Sequence, residues 1–334
     1  MSSVLKAEMH VHLEGTARPP LARRMADKYG VSLDGMIARD GGTYRWADFS
    51  EFLAAYDHVA SLFRSPDDYR DLTRDYLDEL QASGCIYVEI IVSPDHPDRI
   101  GLPVDDYLDG IARGIETHVA AHGEAAVEVR LLVTGVRHQG PSSVKRAAKT
   151  AARWHADGPR TAHGLPLVVG FGLAGDERVG HPRDFVDAFD IAHGTGLGTS
   201  CHAGEVCGAQ SVRDALEHLR PDRIDHGVRA VEDEALVEKL ARTRTLLAVS
   251  IGSNVALGVA KSVETHPVRS LAAAGCRIAL GADDPPFFGS SIGGEYGAAQ
   301  QLGLDLRAIT RTAIEGSFCD PATRARLLAR LEEG

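Results

Sequence analysis

Apolar positions along this chain recur in two rhythms, a period near two and a period near 3.6, and the places where one gives way to the other mark out its elements. In Lys6–Gly15, KAEMHVHLEG, apolar alternates predict a β-strand that carries His10 and His12 on one side. Ala17–Tyr29 brings Leu21, Met25 and Tyr29 to helical spacing, with Pro19–Pro20 at its start and Gly30 beyond its end. Val31–Tyr44 holds Gly35, Gly41 and Gly42 and is predicted to be connection. Asp48–Ala60 is predicted as a short helix with Phe49, Phe52, Leu53 and Tyr56 on one face. Ser65 caps a further helix, with Pro66 in its first turn, Asp68 at the capping-box position and Gly84 ending it.

From there strands and helices alternate. Strands are predicted at Cys85–Val92, Ala126–Thr134, Leu167–Phe171, Gly198–His202, Arg223–His226, Leu246–Val249 and Arg277–Leu280. Helices are predicted at Val104–His122, Ser142–Ala156, Pro182–His193, Gln210–Leu219, Val231–Arg242 and His266–Ala274, with more helix from Leu304 to Glu333. Eight strands separated by helices are the layout of a (β/α)8 TIM barrel, here with extra helices after the first strand and at the C-terminus. A doubly wound open sheet would want a glycine-rich phosphate loop after the first strand, where this chain has two histidines and a glutamate. With no repeat or linker to divide it, residues 1–334 are expected to form a single barrel domain.

Composition narrows the partners. Lys+Arg 36 against Asp+Glu 47 leaves a net charge of −11, without a basic block, which argues against nucleic acid and anionic membranes. No stretch reaches the 18 or so apolar residues of a membrane span, and no signal-peptide layout is visible at the start. The cysteines, Cys85, Cys201, Cys207, Cys276 and Cys319, are scattered and odd in number. They read as reduced thiols of a cytoplasmic protein. Oligomeric state is not legible.

In such a barrel, catalytic side chains come from the carboxyl ends of several strands. The first predicted strand ends in His10 and His12, the fifth in His202, the sixth in His226, and the eighth runs into Asp283 and Asp284. His10, His12, His202 and Asp283 offer three imidazoles and a carboxylate, a set that suits one zinc ion with a position left for water. Such an ion would bring the pKa of that water towards 7. Glu205, three residues beyond His202, is placed to act as a general acid/base, and His226 and Asp284 remain to orient and deprotonate the water. Asp176 and Glu177 read as the capped start of the helix after the fourth strand. That strand ends VVGFGLAGDE without the lysine that would bridge two metals, so a single ion is expected.

MHVHLEG (9–15), YVEIIVSP (87–94), GLAGDE (172–177), HAGE (202–205), DHG (225–227), SN (253–254), HP (266–267) and ADDP (282–285) occur in this order. The chain thereby resembles, over essentially its whole length, the adenosine/adenine deaminase family of the amidohydrolase superfamily, and within it the adenosine deaminase-like bacterial branch. The resemblance implies that His10, His12, His202 and Asp283 bind zinc and that Glu205 protonates purine N1 as hydroxide attacks C6. It further implies that His226 and Asp284 position the hydroxide, that Asp284 also meets N7, and that the Gly175 amide meets N3. Phe49 and Phe52 fall where the family has a hydrophobic lid over the purine. His12 and Glu14 border the substrate.

Glu14 stands where animal adenosine deaminases have an aspartate that meets the ribose hydroxyls, and its extra methylene is expected to move the carboxylate into the sugar space. Gly172 replaces an aspartate, which removes an expected partner of the site. GLAGDE speaks for the nucleoside branch, so the expected reaction is deamination of adenosine, and of 2′-deoxyadenosine, to inosine and ammonia. The alternatives are adenine deamination or deamination of another 6-aminopurine nucleoside such as aminodeoxyfutalosine. A non-enzymatic ligand-binding barrel would require a missing ligand or acid, and none is missing.

Overall fold

The structure, a computed structural model, describes residues 4–333. Its eight strands are β1 (Lys6–His12), β2 (Cys85–Val92), β3 (Glu128–Val136), β4 (Val168–Ala174), β5 (Gly198–Ala203), β6 (Arg223–His226), β7 (Leu246–Val249) and β8 (Arg277–Leu280). Each pairs in parallel with the next, in the order β1 to β8. The seam back to β1 is short: Asp283 N donates to His10 O and His12 N to Asp283 O, each at 3.0 Å. Barrel closure is therefore made by the same residues that were singled out as metal ligands. Gly281 permits it, since a β-carbon there would lie 2.2 Å from His10 O.

The strands are short and buried on both faces, as a barrel wrapped in helices requires. The helices are α1 (Pro19–Tyr29), α2 (Phe49–Ala60), α3 (Pro66–Ala82), α4 (Asp95–Ile100), α5 (Val104–His122), α6 (Pro141–Asp157), α7 (Val186–Gly194) and α8 (Ala209–His218). They continue as α9 (Glu234–Thr243), α10 (Ile251–Ala256), α11 (Val268–Ala273), α12 (Pro285–Phe288), α13 (Ile292–Gln301), α14 (Leu306–Glu315) and α15 (Pro321–Glu333). Asp48 caps α2 by accepting from the amides of Ser50 and Glu51. Ser65 caps α3, but Asp68 does not complete a capping box. Its carboxylate takes the Arg64 amide, the Tyr29 hydroxyl and the Lys28 ammonium, tying α1 to α3.

Below the barrel, Phe318 lies against the amino end of β5, under the Arg223 guanidinium at 4.6 Å, and Arg223 pairs with Glu89 at 2.7 Å. With that end plugged, access is left to the carboxyl end. Differences from the sequence expectation are local. β3 runs two residues later than expected and β4 extends to Ala174, while α4, α10, α12 and α13 were not anticipated. Among the described residues no helix is long and apolar enough to cross a membrane.

Candidate active site

β1, β5 and the turn after β8 bring four donors together at the open end of the barrel. His12 Nε2 lies 3.2 Å from His202 Nε2, and Asp283 Oδ1 lies 3.5 Å from both His10 Nε2 and His12 Nε2. Two donors each about 2.0–2.1 Å from one tetrahedral ion stand about 3.4 Å apart. Neither ring nitrogen of His10, a fully buried residue, makes a hydrogen bond among the described residues. Facing imidazole nitrogens and an orphaned buried histidine are costly arrangements that a shared cation relieves. The donor set therefore fits a divalent ion of the zinc type. Burial pushes the His12 imidazole down to about 3, which keeps it neutral as a ligand must be. Burial opposes ionisation of Asp283, but the surrounding His10, His226 and His12 rings outweigh it and hold this carboxyl well below the usual range.

Glu205, His226 and Asp284 converge on the same space. His226 Nε2 is 3.7 Å from Glu205 Oε1 and 3.9 Å from Asp283 Oδ2. Burial, then the charges of Asp283, Glu177 and Asp176, raise the Glu205 carboxyl well above its ordinary value, so it carries a proton where a free glutamate would not. Burial and the Asp283 charge raise Asp284 likewise, while burial and the His10 charge hold His226 well below the imidazole range. His226 and Asp283 both sit at positive φ, 65° and 64°. Such backbone strain concentrates at sites whose side chains must be aimed.

Several residues that aim these groups were not singled out from the sequence for that work. Asp225 Oδ2, from β6, stands 3.3 Å from His202 Nδ1 and accepts from Ser200, which places a carboxylate behind that imidazole. Ser253 donates to Asp283 Oδ2 at 2.6 Å. Glu177 is not a helix cap: His181 caps the helical turn that precedes α7, and Asp176 pairs with Arg178. The buried Glu177 carboxylate instead accepts from Gly204 N (2.5 Å), Glu205 N (3.1 Å), Cys207 N (2.7 Å) and Ser211 Oγ (2.5 Å). It thus clamps the loop that carries Glu205. Only the position of DHG, SN and GLAGDE among the ordered motifs hinted at these contacts.

The donors open onto a cavity of about 90 Å³ whose wall includes His12, His202, Glu205, His226, Asp284 and Gly175. Phe49 and Phe52 line it from α2, and Phe52 stacks near Phe288 from α12 with centroids 4.8 Å apart. Across the mouth Arg99 of α4 pairs with Asp57 of α2 at 2.5 Å. Glu14 departs from expectation. It does not line the cavity but is turned behind the wall, where Oε1 accepts from Tyr107 OH at 2.9 Å and Oε2 faces His96 Nε2 at 3.9 Å. Its carboxylate is therefore not among the groups that line the cavity. The reason is the phenol of Tyr107, which offers a buried donor that the longer side chain can reach.

The family model described as adenosine deaminase matches residues 5–334. A protein named adenine deaminase from Chelativorans sp. (strain BNC1) is 51% identical over 333 residues, covering 98% of either chain. Another of that name from Agrobacterium fabrum is 50% identical over 334 residues, covering 99% of this chain and 98% of its own. Among solved structures, adenine deaminase from Arthrobacter aurescens superposes with a TM-score of 0.86 at 27% identity, covering 98% of both chains. The names of these relatives agree better with the adenine alternative than with the nucleoside branch expected from GLAGDE. Within that segment Asp176 and Glu177 serve internal contacts, and Ala174 and Gly175 reach the cavity.

Proposed function

The chain belongs to the adenosine deaminase family, and from that premise we propose that it hydrolyses adenine to hypoxanthine and ammonia. The full-length relationship, at about half identity, to proteins named adenine deaminase carries the choice of adenine over adenosine.

His10, His12, His202 and Asp283 would hold one zinc ion. The ion supplies Lewis acidity that brings the pKa of water towards 7. Glu205, in its acid form, gives its proton to ring N1 as a water oxygen adds to C6. The proton shed by the water passes by way of Asp284 to the amino group, which leaves as ammonia, and the C6 hydroxyl proton returns to Glu205 as the carbonyl forms. Adenine and water are thus converted to hypoxanthine and ammonia without any other reactant. Asp284, whose Oδ1 is buried without a hydrogen-bond partner among the described residues, offers an acceptor or donor to the imidazole edge of the base. The Gly175 amide offers a donor to N3. Phe49, Phe52 and their neighbours exclude bulk water from the reacting centre.

Ammonia release from adenine, adenosine, 2′-deoxyadenosine and aminodeoxyfutalosine tests this reading, with Glu205→Gln beside the native protein. The expected result is a kcat/KM for adenine well above the other three, and a loss of about 100- to 10,000-fold in kcat for the variant. A nucleoside preferred over adenine would return the reading to the sugar-bearing substrates.

A further inference from the structure

A buried chain of hydrogen bonds runs from α11 to His226, and its polarity is set at the far end. The amide of Val268, which can only donate, lies 3.1 Å from His266 Nδ1. Nδ1 is therefore the bare nitrogen of that ring, and the proton of neutral His266 is on Nε2. Nε2 faces Asn254 Oδ1 at 3.2 Å and donates to it. This orients the Asn254 amide, whose Nδ2 is then directed at His226 Nδ1 at 3.3 Å. An amide nitrogen has hydrogens and no lone pair to offer. His226 Nδ1 must accept, which leaves the ring proton of neutral His226 on Nε2, the nitrogen that faces Glu205 and Asp283.

The chain has little freedom to run the other way. Asn254 and His226 are at most 1% exposed and His266 is 2% exposed, so water does not compete for their polar atoms. Asn254 rides on α10, whose first two amides, Ile251 N and Gly252 N, both donate to the Glu295 carboxylate at 2.6 and 2.8 Å. α10 is thereby pinned to α13, and the preceding side chain on it, Ser253, is bonded to Asp283.

We propose that Asn254 and His266 are positioning residues that hold His226 as its Nε2–H tautomer, so that His226 donates a hydrogen bond to the attacking oxygen instead of taking its proton. The role given to His226 in the reaction rests on the deaminase reading; the tautomer does not. One consequence concerns the crowd of imidazoles at the site. His226 lies near enough to His10 and Asp283 to be a fourth nitrogen ligand, but a protonated Nε2 has no lone pair for a cation. The relay thus keeps His226 outside the ligand set while leaving it beside the reacting atoms. It also divides the work that the sequence left shared between His226 and Asp284: His226 orients the water, and the water's proton goes to the Asp284 carboxylate.

The test is the nitrogen spectrum of ¹⁵N-histidine-labelled protein, zinc-loaded, with the His226 signals assigned by their loss in His226→Gln. The native protein should show His226 Nδ1 bare and Nε2 protonated. Asn254→Asp replaces the donor with a carboxylate, which should draw the proton to Nδ1 and reverse the pattern, with kcat falling at least 10-fold at unchanged KM. His266→Gln keeps a donor to Asn254 Oδ1 and should keep the native pattern, whereas His266→Leu should lose it. A native spectrum with Nδ1 protonated would overturn the proposal, as would an unchanged pattern in folded Asn254→Asp. The expected tautomers in a protein that does not turn over adenine would support the relay and defeat the substrate reading.

Discussion

Gly15 and Asp284 are packed so closely that a β-carbon on the glycine would lie 1.8 Å from Asp284 Oδ1 and 2.7 Å from its carboxyl carbon. The turn after β1 and the turn after β8 meet there, and only a residue without a side chain lets the Asp284 carboxylate reach the cavity. Gly15→Ala must push that carboxylate aside, while His10, His12 and His202 are untouched. We expect kcat/KM to fall about 100-fold, the scale of a displacement of about 1 Å of a reacting group, with zinc content unchanged by metal analysis.

Glu177 carries four hydrogen bonds on one carboxylate, three from the loop after β5 and one from Ser211 in the first turn of α8. Glu177→Gln turns one acceptor oxygen into a donor that faces backbone amides, and each buried amide left without a partner costs about 1–3 kcal/mol. The loop should loosen around Glu205. The expected outcome is a lower thermal midpoint and a kcat reduced at least 10-fold, with KM and bound zinc little changed. A variant with native kcat would show that the loop holds Glu205 without this clamp.

The sign of the His266 contribution to acid stability follows from burial, which pushes its imidazole down to about 4 in the folded protein against 6.5 as the ordinary value. Between those pH values the unfolded chain binds a proton that the folded one refuses, so this contribution is complete above pH 6.5 and is lost as pH falls towards 4. His266→Gln has no such proton to refuse. Denaturant titrations from pH 7 to pH 4 should show a shallower loss of stability in the variant than in the native protein, by up to one proton in the slope.

Removal of the metal is expected to cost stability as well as activity, because the donors are preassembled and buried. Chelation should lower the thermal midpoint, and zinc should restore it in a concentration-dependent way, since a ligand that binds only the folded state stabilises by mass action. Calorimetry with and without added zinc measures this independently of turnover. A midpoint indifferent to zinc would mean that His10, His12, His202 and Asp283 do not hold the ion.

Much of the barrel was legible in the chain. Strand and helix signals are local, so Cys85–Val92, Val104–His122, Arg223–His226, Leu246–Val249 and Arg277–Leu280 coincide with the folded elements residue for residue. Where the signal is weak, sequence reasoning failed for definite reasons. In β3 the alternation of Val127, Val129, Leu131 and Val133 does not say where pairing begins, and the ladder with β2 starts at Glu128 opposite Tyr87. α10 is too short to show a period, and α13 contains Gly293, Gly294 and Gly297, so local propensity opposes a helix that burial of Ile292, Tyr296 and Ala299 sustains.

The sequence by itself also determined which chemical groups gather, because a parallel barrel brings every strand's carboxyl end to one face and the histidines and aspartates fall at those ends. Their aim was decided only by tertiary structure. Asp225 behind His202, Glu177 beneath the Glu205 loop, Glu14 withdrawn to Tyr107, and the His266–Asn254–His226 chain each join residues 12 to 93 positions apart. Such contacts leave no local periodicity, since hydrogen-bond direction and burial are properties of the packed interior and exist only once the distant segments have met.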